Sequence, residues 1–279
     1  MPRNAYVVLK LIALPSLFFF IFFLVPLGVV LTSSFIDPAA QEFSLLNYTR
    51  ILLDQYHWQV ILVTFRIALF TTLICGLVGY PLAWYLVRIV RSELWRHVTV
   101  IILVVPLFTS NIVRSFGWMV LLGRNGVVNE SLQYLGLTEK SIRFLGSELG
   151  ILIGMVYILL PFVVLAVGTS LSKMDRSLEY ASQDLGASPA STFMHVTLPL
   201  SLPGLAAGSI MVFALAVSAY VTPALLSGGR VTVLSMLIYQ QYSTVFNVNY
   251  GGALSIVLLV LTLVLIGAAN RIGRVKGEA

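Results

Sequence analysis

Side chains able to do covalent or metal chemistry are few in this 279-residue chain, and they are scattered. Cys75 is the only cysteine, which excludes an intramolecular disulfide. His57, His97 and His195 stand far apart with no cysteine or carboxylate at ligand spacing, so no metal site is expected. The phosphate-cradling pattern G-x-x-x-x-G-K-[ST] is absent, as are G-x-S-x-G and H-E-x-x-H. The acidic residues fall in loops or at the edges of apolar runs and are not paired inside them. No catalytic residue is assigned, no cofactor is expected on this chain, and an enzyme is not the reading.

What remains is a handful of polar groups inside apolar surroundings. Arg66 lies several residues into the second apolar run, where a centred arginine costs roughly 2.5–3.5 kcal/mol. It either snorkels to the membrane surface or faces a water-filled pathway. Asn111 and Arg114, in "NIVRSFGW", pose the same alternative near the end of the third run. Tyr220, Thr222 and Pro223, in "SAYVTPALL", interrupt the fifth run; a broken helix there lines a pathway or is simply kinked by its proline.

These residues must be positioned by apolar helices. The chain is 58% hydrophobic and 10% charged, with a mean hydropathy of +0.96, against roughly 25% charged residues in soluble domains. Crossing about 30 Å of hydrocarbon takes roughly 20 apolar residues in a helix. Six such runs occur, at 11–32, 59–86, 98–121, 149–170, 203–226 and 250–270. The first is too long for the apolar part of a signal peptide and reads as a retained span. The expected fold is an all-α integral membrane protein of six helices, forming one domain over 1–279 with no visible internal repeat.

Orientation follows from the basic residues of the connections. With the N-terminus inside, the inner segments hold Arg3, Lys10, Arg88, Arg91, Arg96, Lys173, Arg176, Arg271, Arg274 and Lys276, which is 10 of the 17. Both termini are then cytoplasmic. Trp58, Trp84, Trp95 and Trp118 fall near span ends, where amphipathic rings collect. The net charge of +6 needs only topology and anionic lipid.

Outside the membrane, 33–58 reads as a modest cap and 122–148 as a loop with a short interfacial helix near 128–135. Gly146, Gly150 and Gly154 recur every fourth residue, as do Gly204 and Gly208, a spacing that lets helices approach closely. The segment 174–200 is the unusual one. Asp175 reads as the N-cap of a helix, Leu178, Ala181, Ser182 and Leu185 form a small-to-apolar stripe at helical spacing, and Gly186 suits the left-handed helix end. Ser188 then caps a second helix with Pro189 at its first position. Phe193, Val196 and Thr197 lie along that helix before Leu198-Pro199 stops it and redirects the chain. The whole reads as a rigid elbow.

That elbow resembles the EAA loop of permease subunits in ATP-binding-cassette importers. The family pattern is Glu-Ala-Ala, three residues, Gly, nine residues, then Ile-x-Leu-Pro; the chain has Tyr180-Ala181-Ser182, Gly186 and Val196-Thr197-Leu198-Pro199 at the same spacing. Tyr180 replaces the family's Glu, with Glu179 one residue early, and Ser182 replaces the second Ala. "VRSFGWMVLLGRNGVVN", "GMVYILLPFVVLAVGTSLSKMD" and "SAYVTPALLSGG" extend the resemblance to the first permease of spermidine/putrescine-type transporters. The resemblance implies a bacterial inner-membrane protein forming half of a solute pathway, with a polyamine or related solute. It implies a second, different permease, two ATPase subunits that use the ATP, and a periplasmic solute-binding protein as partners. Tyr180, Ala181, Ser182, Gly186, Ala187, Ser188, Pro189, Val196, Leu198 and Pro199 would form the coupling loop between helices 4 and 5. The rival reading is an ATP-independent secondary transporter or a channel, which would usually show internal repeats or intramembrane ionisable pairs.

Overall fold

The computed structural model describes residues 3–37 and 42–275, with side chains described for 11–37 and 42–271. Lys276, counted above among the inner charges, lies outside the described residues. A helix starting at Arg3 contains the apolar stretch α1 (Leu11–Ser34). It is followed by α2 (Leu46–Leu53), α3 (Gln55–Ile89), α4 (Glu93–Phe108), α5 (Asn111–Leu121) and α6 (Val127–Tyr134). Then come α7 (Glu148–Lys173), α8 (Ser177–Asp184), α9 (Pro189–Ser218), α10 (Val221–Leu226), α11 (Leu234–Gln240) and α12 (Val248–Val275). Apart from one isolated bridge, Ile36 to Phe43, the described residues are helical or irregular. Five helices are long and apolar enough to cross a membrane, and six if α4 and α5 count as one span.

The expected run 98–121 is therefore not a straight helix: α4 and α5 meet at 103°. Pro106 ends regular helix in a tight turn, Thr109 is extended (φ −87°, ψ 146°), and Ser110 starts a fresh helix by accepting from the Ile112 N–H at 3.3 Å. The expected run 203–226 needs two corrections. Its helix, α9, begins far earlier, at Pro189, and it ends at Ser218 because Ala219 is extended (ψ 127°).

Leu198-Pro199 consequently does not stop the second elbow helix. A proline at 199 removes one N–H and crowds the carbonyl four residues back. The chain absorbs this in a π-helical turn, Phe193–Thr197, where the Leu198 N–H bonds the Phe193 carbonyl. Helix continues through Pro199 and Pro203.

Two compact units form, Met1–Gln59 with Met236–Val264, and Val60–Ser235 with Leu265–Ala279. In the first, Asn47 is buried and donates to the carbonyls of Ser34 and Ile36 at 3.1 and 3.2 Å. Asn249 donates to the same Ile36 carbonyl at 2.9 Å. His57 sits between Asp54, at 2.8 Å, and the Tyr250 hydroxyl, at 2.9 Å.

The second unit is built on α7, whose Ile151, Met155, Ile158, Leu159, Val163, Val167 and Leu171 are buried. Gly204 and Gly208 of α9 make the close approach expected of them; a methyl at Gly208 would stand 3.0 Å from the Ala166 Cβ and 3.1 Å from the Val163 Cα. The stripe at 146, 150 and 154 is shorter than expected. Gly146 precedes the helix with φ +79°, because Ser147 caps it by accepting from the Gly150 N–H at 3.2 Å. The short interfacial helix near 128–135 appears as α6, pinned by buried Asn129, which bonds the Ile142 N–H and carbonyl at 2.8 and 3.0 Å. Helices α2 and α11 were not foreseen: each is under nine residues and neither is apolar throughout.

Candidate functional site

The elbow after α7 is built almost entirely by local backbone chemistry. The cap position of α8 falls on Arg176, whose side chain makes no capping bond, and not on Asp175 as expected; from one residue further out the Asp175 carboxylate accepts from the Ser177 N–H at 2.9 Å, which holds that carboxyl below the usual range. At the other end Gly186 has φ +87°, and its N–H reaches the Gln183 carbonyl at 2.9 Å while the Ala187 N–H reaches Ser182 at 3.1 Å. This doubly bonded ending requires a left-handed residue, which glycine adopts without a Cβ penalty. Ser188 then accepts from the Ser191 N–H at 3.2 Å, and Pro189 opens α9. Ala187 is half-buried between them.

The outer surface of the elbow is apolar and exposed. Leu178, Tyr180 and Leu185 are 47%, 60% and 90% exposed. The inner side is held by polar contacts that sequence reasoning missed. Glu179 accepts from Arg88 at 3.1 Å and from the Thr197 hydroxyl at 2.8 Å. Arg176 donates to the Val87 carbonyl at 2.7 Å, and the Ser182 and Thr192 hydroxyls are 3.1 Å apart. Tyr80 and Trp84 set their rings edge-on to Phe193. Glu179, not position 180, thus carries the inward acidic contact. No signal in a single sequence pairs residues 91 positions apart; the only hint was Glu179 itself, one place off the family's Glu.

A second feature lies where the two broken helices meet. A cavity of about 510 Å³ is lined by Thr109, Asn111 and Arg114 on one side, Ser218, Tyr220 and Thr222 on another, with Met155 and Phe162 of α7 among the apolar lining. Arg114 donates through Nη2 to the Asn111 Oδ1, while its Nε and Nη1 are buried without a partner. Thr222 is tied to Ser115 at 3.0 Å, joining α10 to α5. Irregular backbone of this kind is tolerated at membrane depth only when protein or a water-filled cavity surrounds it. Pro223 is buried beside the cavity and does not line it. Arg66 is elsewhere: half-exposed, it pairs with Glu148 and borders an apolar groove of α3, α9 and α12.

Long apolar helices, two of them broken around a partly polar cavity, define a multi-pass α-helical membrane protein. The family model described as "Binding-protein-dependent transport system inner membrane component" matches residues 76–273. The chain belongs to that family. It is 34% identical to the spermidine/putrescine transport system permease protein PotB of Escherichia coli, over 92% of this chain and 96% of PotB. It is 33% identical to the PotB protein of Haemophilus influenzae, over 88% of this chain and 86% of that one. A bacterial alginate ATP-binding-cassette transporter, solved with an alginate-pentasaccharide-bound periplasmic protein, contains a chain of the same fold (TM-score 0.82, 19% identity, 99% and 97% covered). The resemblance to importer permeases is thereby established at the level of family, and the chain is a multi-pass inner-membrane permease subunit.

Proposed function

We propose that this chain forms half of the solute pathway of a binding-protein-dependent ATP-binding-cassette importer and acts as one permease domain, since the family match spans residues of both compact units. Both termini and the elbow face the cytoplasm. There 174–200 is the EAA loop, lying between the fourth and fifth spans and receiving an ATPase subunit. The observation that carries this is the elbow itself: a capped, glycine-ended turn of fixed shape that displays Leu178, Tyr180 and Leu185 outside the spans. Exposed apolar side chains on a rigid support suit a partner protein better than water.

A second permease, a different chain, completes the pathway, and the ATP is used by the ATPase pair. A periplasmic protein delivers the solute, for which the PotB relatives suggest a polyamine. The cavity at Asn111, Arg114, Tyr220 and Thr222 is part of the path. Its one charged lining residue is a cation, so recognition of a polycation is assigned to the delivering protein.

The test is purification of the chain from its native membrane in mild detergent, with identification of what comes with it. An ATPase carrying a P-loop together with a second multi-span permease is the expected result. A homo-oligomer that moves solute without ATP would make the chain a self-powered carrier or a channel.

A further inference from the structure

We propose that Glu179 is the positioning residue that couples the elbow to the membrane helices, by holding the end of α3 and the π turn of α9 to α8 through a single carboxylate. The inference rests on the importer reading above and names the contact through which an ATPase stroke would reach the spans.

Three elements converge on one oxygen. Glu179 Oε1 lies 3.1 Å from Arg88 Nε and 2.8 Å from Thr197 Oγ1. The side chains of Arg88 and Glu179 are 8% and 15% exposed, so the pair is nearly dry. In that setting the attraction is screened far less than on a surface, and losing either partner strands a buried charge. An exposed surface pair would hold nothing firmly; this one does.

Its two partners lie in π-helical turns of their helices. Arg88 belongs to the π-helical turn Tyr85–Ile89, and Thr197 to the π-helical turn Phe193–Thr197. Single π turns inside α-helices are frequent at functional sites. Arg176 bonding the Val87 carbonyl at 2.7 Å, and Ser182 meeting Thr192 at 3.1 Å, close the same joint from either side. A push on the exposed face of α8 is therefore carried to the end of α3 and the π turn of α9 at once. Tyr180, pointing away and 60% exposed, is left for the partner.

The experiment uses the complete transporter in proteoliposomes, with its ATPase, second permease and binding protein, and reads solute moved per ATP hydrolysed. Amide exchange across 177–197 is measured on the same purified complexes. Glu179→Gln keeps the shape and removes the charge; Thr197→Val removes one hydrogen bond with little change of volume. For Glu179→Gln we expect the transport-to-hydrolysis ratio to fall tenfold or more while ATP hydrolysis persists, and exchange in α8 to rise by a similar factor. Thr197→Val should show a smaller change of the same kind, and it carries the test if the Glu179 variant is not assembled. A purely structural role would instead lower the amount of complex and leave its ratio unchanged, which overturns the proposal. If wild type shows no ATP-driven uptake, the importer reading falls, and unchanged exchange in both variants overturns the joint independently.

Discussion

At the scale of single residues, the elbow is fixed by groups whose behaviour is set a few positions away. Gly186 at φ +87° ends α8 because the Schellman-type bonds of Gly186 and Ala187 require it. Asp175 lies just ahead of α8, and its exposed carboxyl is depressed first by the Ser177 N–H and then by the Ser177 hydroxyl. A depressed folded value means the contribution is present above the unfolded value of about 4 and is lost as pH falls through the folded one. A carbon-13 titration of Asp175 in detergent should give a midpoint below about 4, with exchange in the first turn of α8 rising as it protonates. A midpoint at or above that value would show that Ser177 does not hold it. Gly186 was legible in the sequence because helix ending is a local interaction, and Asp175 was legible only to within one residue, since the cap falls on Arg176; Arg88 and Glu179 were not, since nothing local pairs them.

At the scale of elements, small residues decide how closely α7 and α9 pack. Gly208→Leu must push against the Val163 Cα and Ala166 Cβ at about 3 Å, contacts that neither backbone nor a methyl can yield. Overpacking of this kind costs about 1–3 kcal/mol. Thermal unfolding of the isolated chain should show a clearly lower midpoint, whereas Gly28→Ala, inside a helix where an added methyl meets nothing within 4 Å, leaves it unchanged or slightly raised. Equal midpoints would mean that the two helices are not packed through this face. The G-x-x-x-G spacing announced Gly204 and Gly208 correctly, yet it overcounted at Gly146, where Ser147 starts the helix one residue later. Proline misled in the same way. Pro106 ends a helix whereas Pro199 does not, because a π turn at 193–197 can rearrange the hydrogen bonds around it.

At the scale of the whole molecule, the proposed orientation puts α8 and α6 on opposite faces of the membrane. Cysteines introduced at Asp184 and Ser131 should react with an impermeant reagent from the cytoplasmic and outer sides respectively. Native Cys75 is fully buried and should stay silent. Reaction of both from one side would overturn the topology. Hydropathy and the distribution of arginine and lysine were enough to find the apolar helices and to suggest this arrangement, because each span answers to a solvent whose thickness fixes its length. The family resemblance came separately, from the spacing of Gly186 and Leu198-Pro199 and from the longer matching stretches. Composition had no way to show that the third run bends by 103°, that the fifth begins at Pro189, or that Asn111, Arg114, Tyr220 and Thr222 share one cavity while Arg66 stands apart. Those outcomes depend on which distant groups satisfy a broken backbone and a buried charge, and only packing in three dimensions brings such groups together.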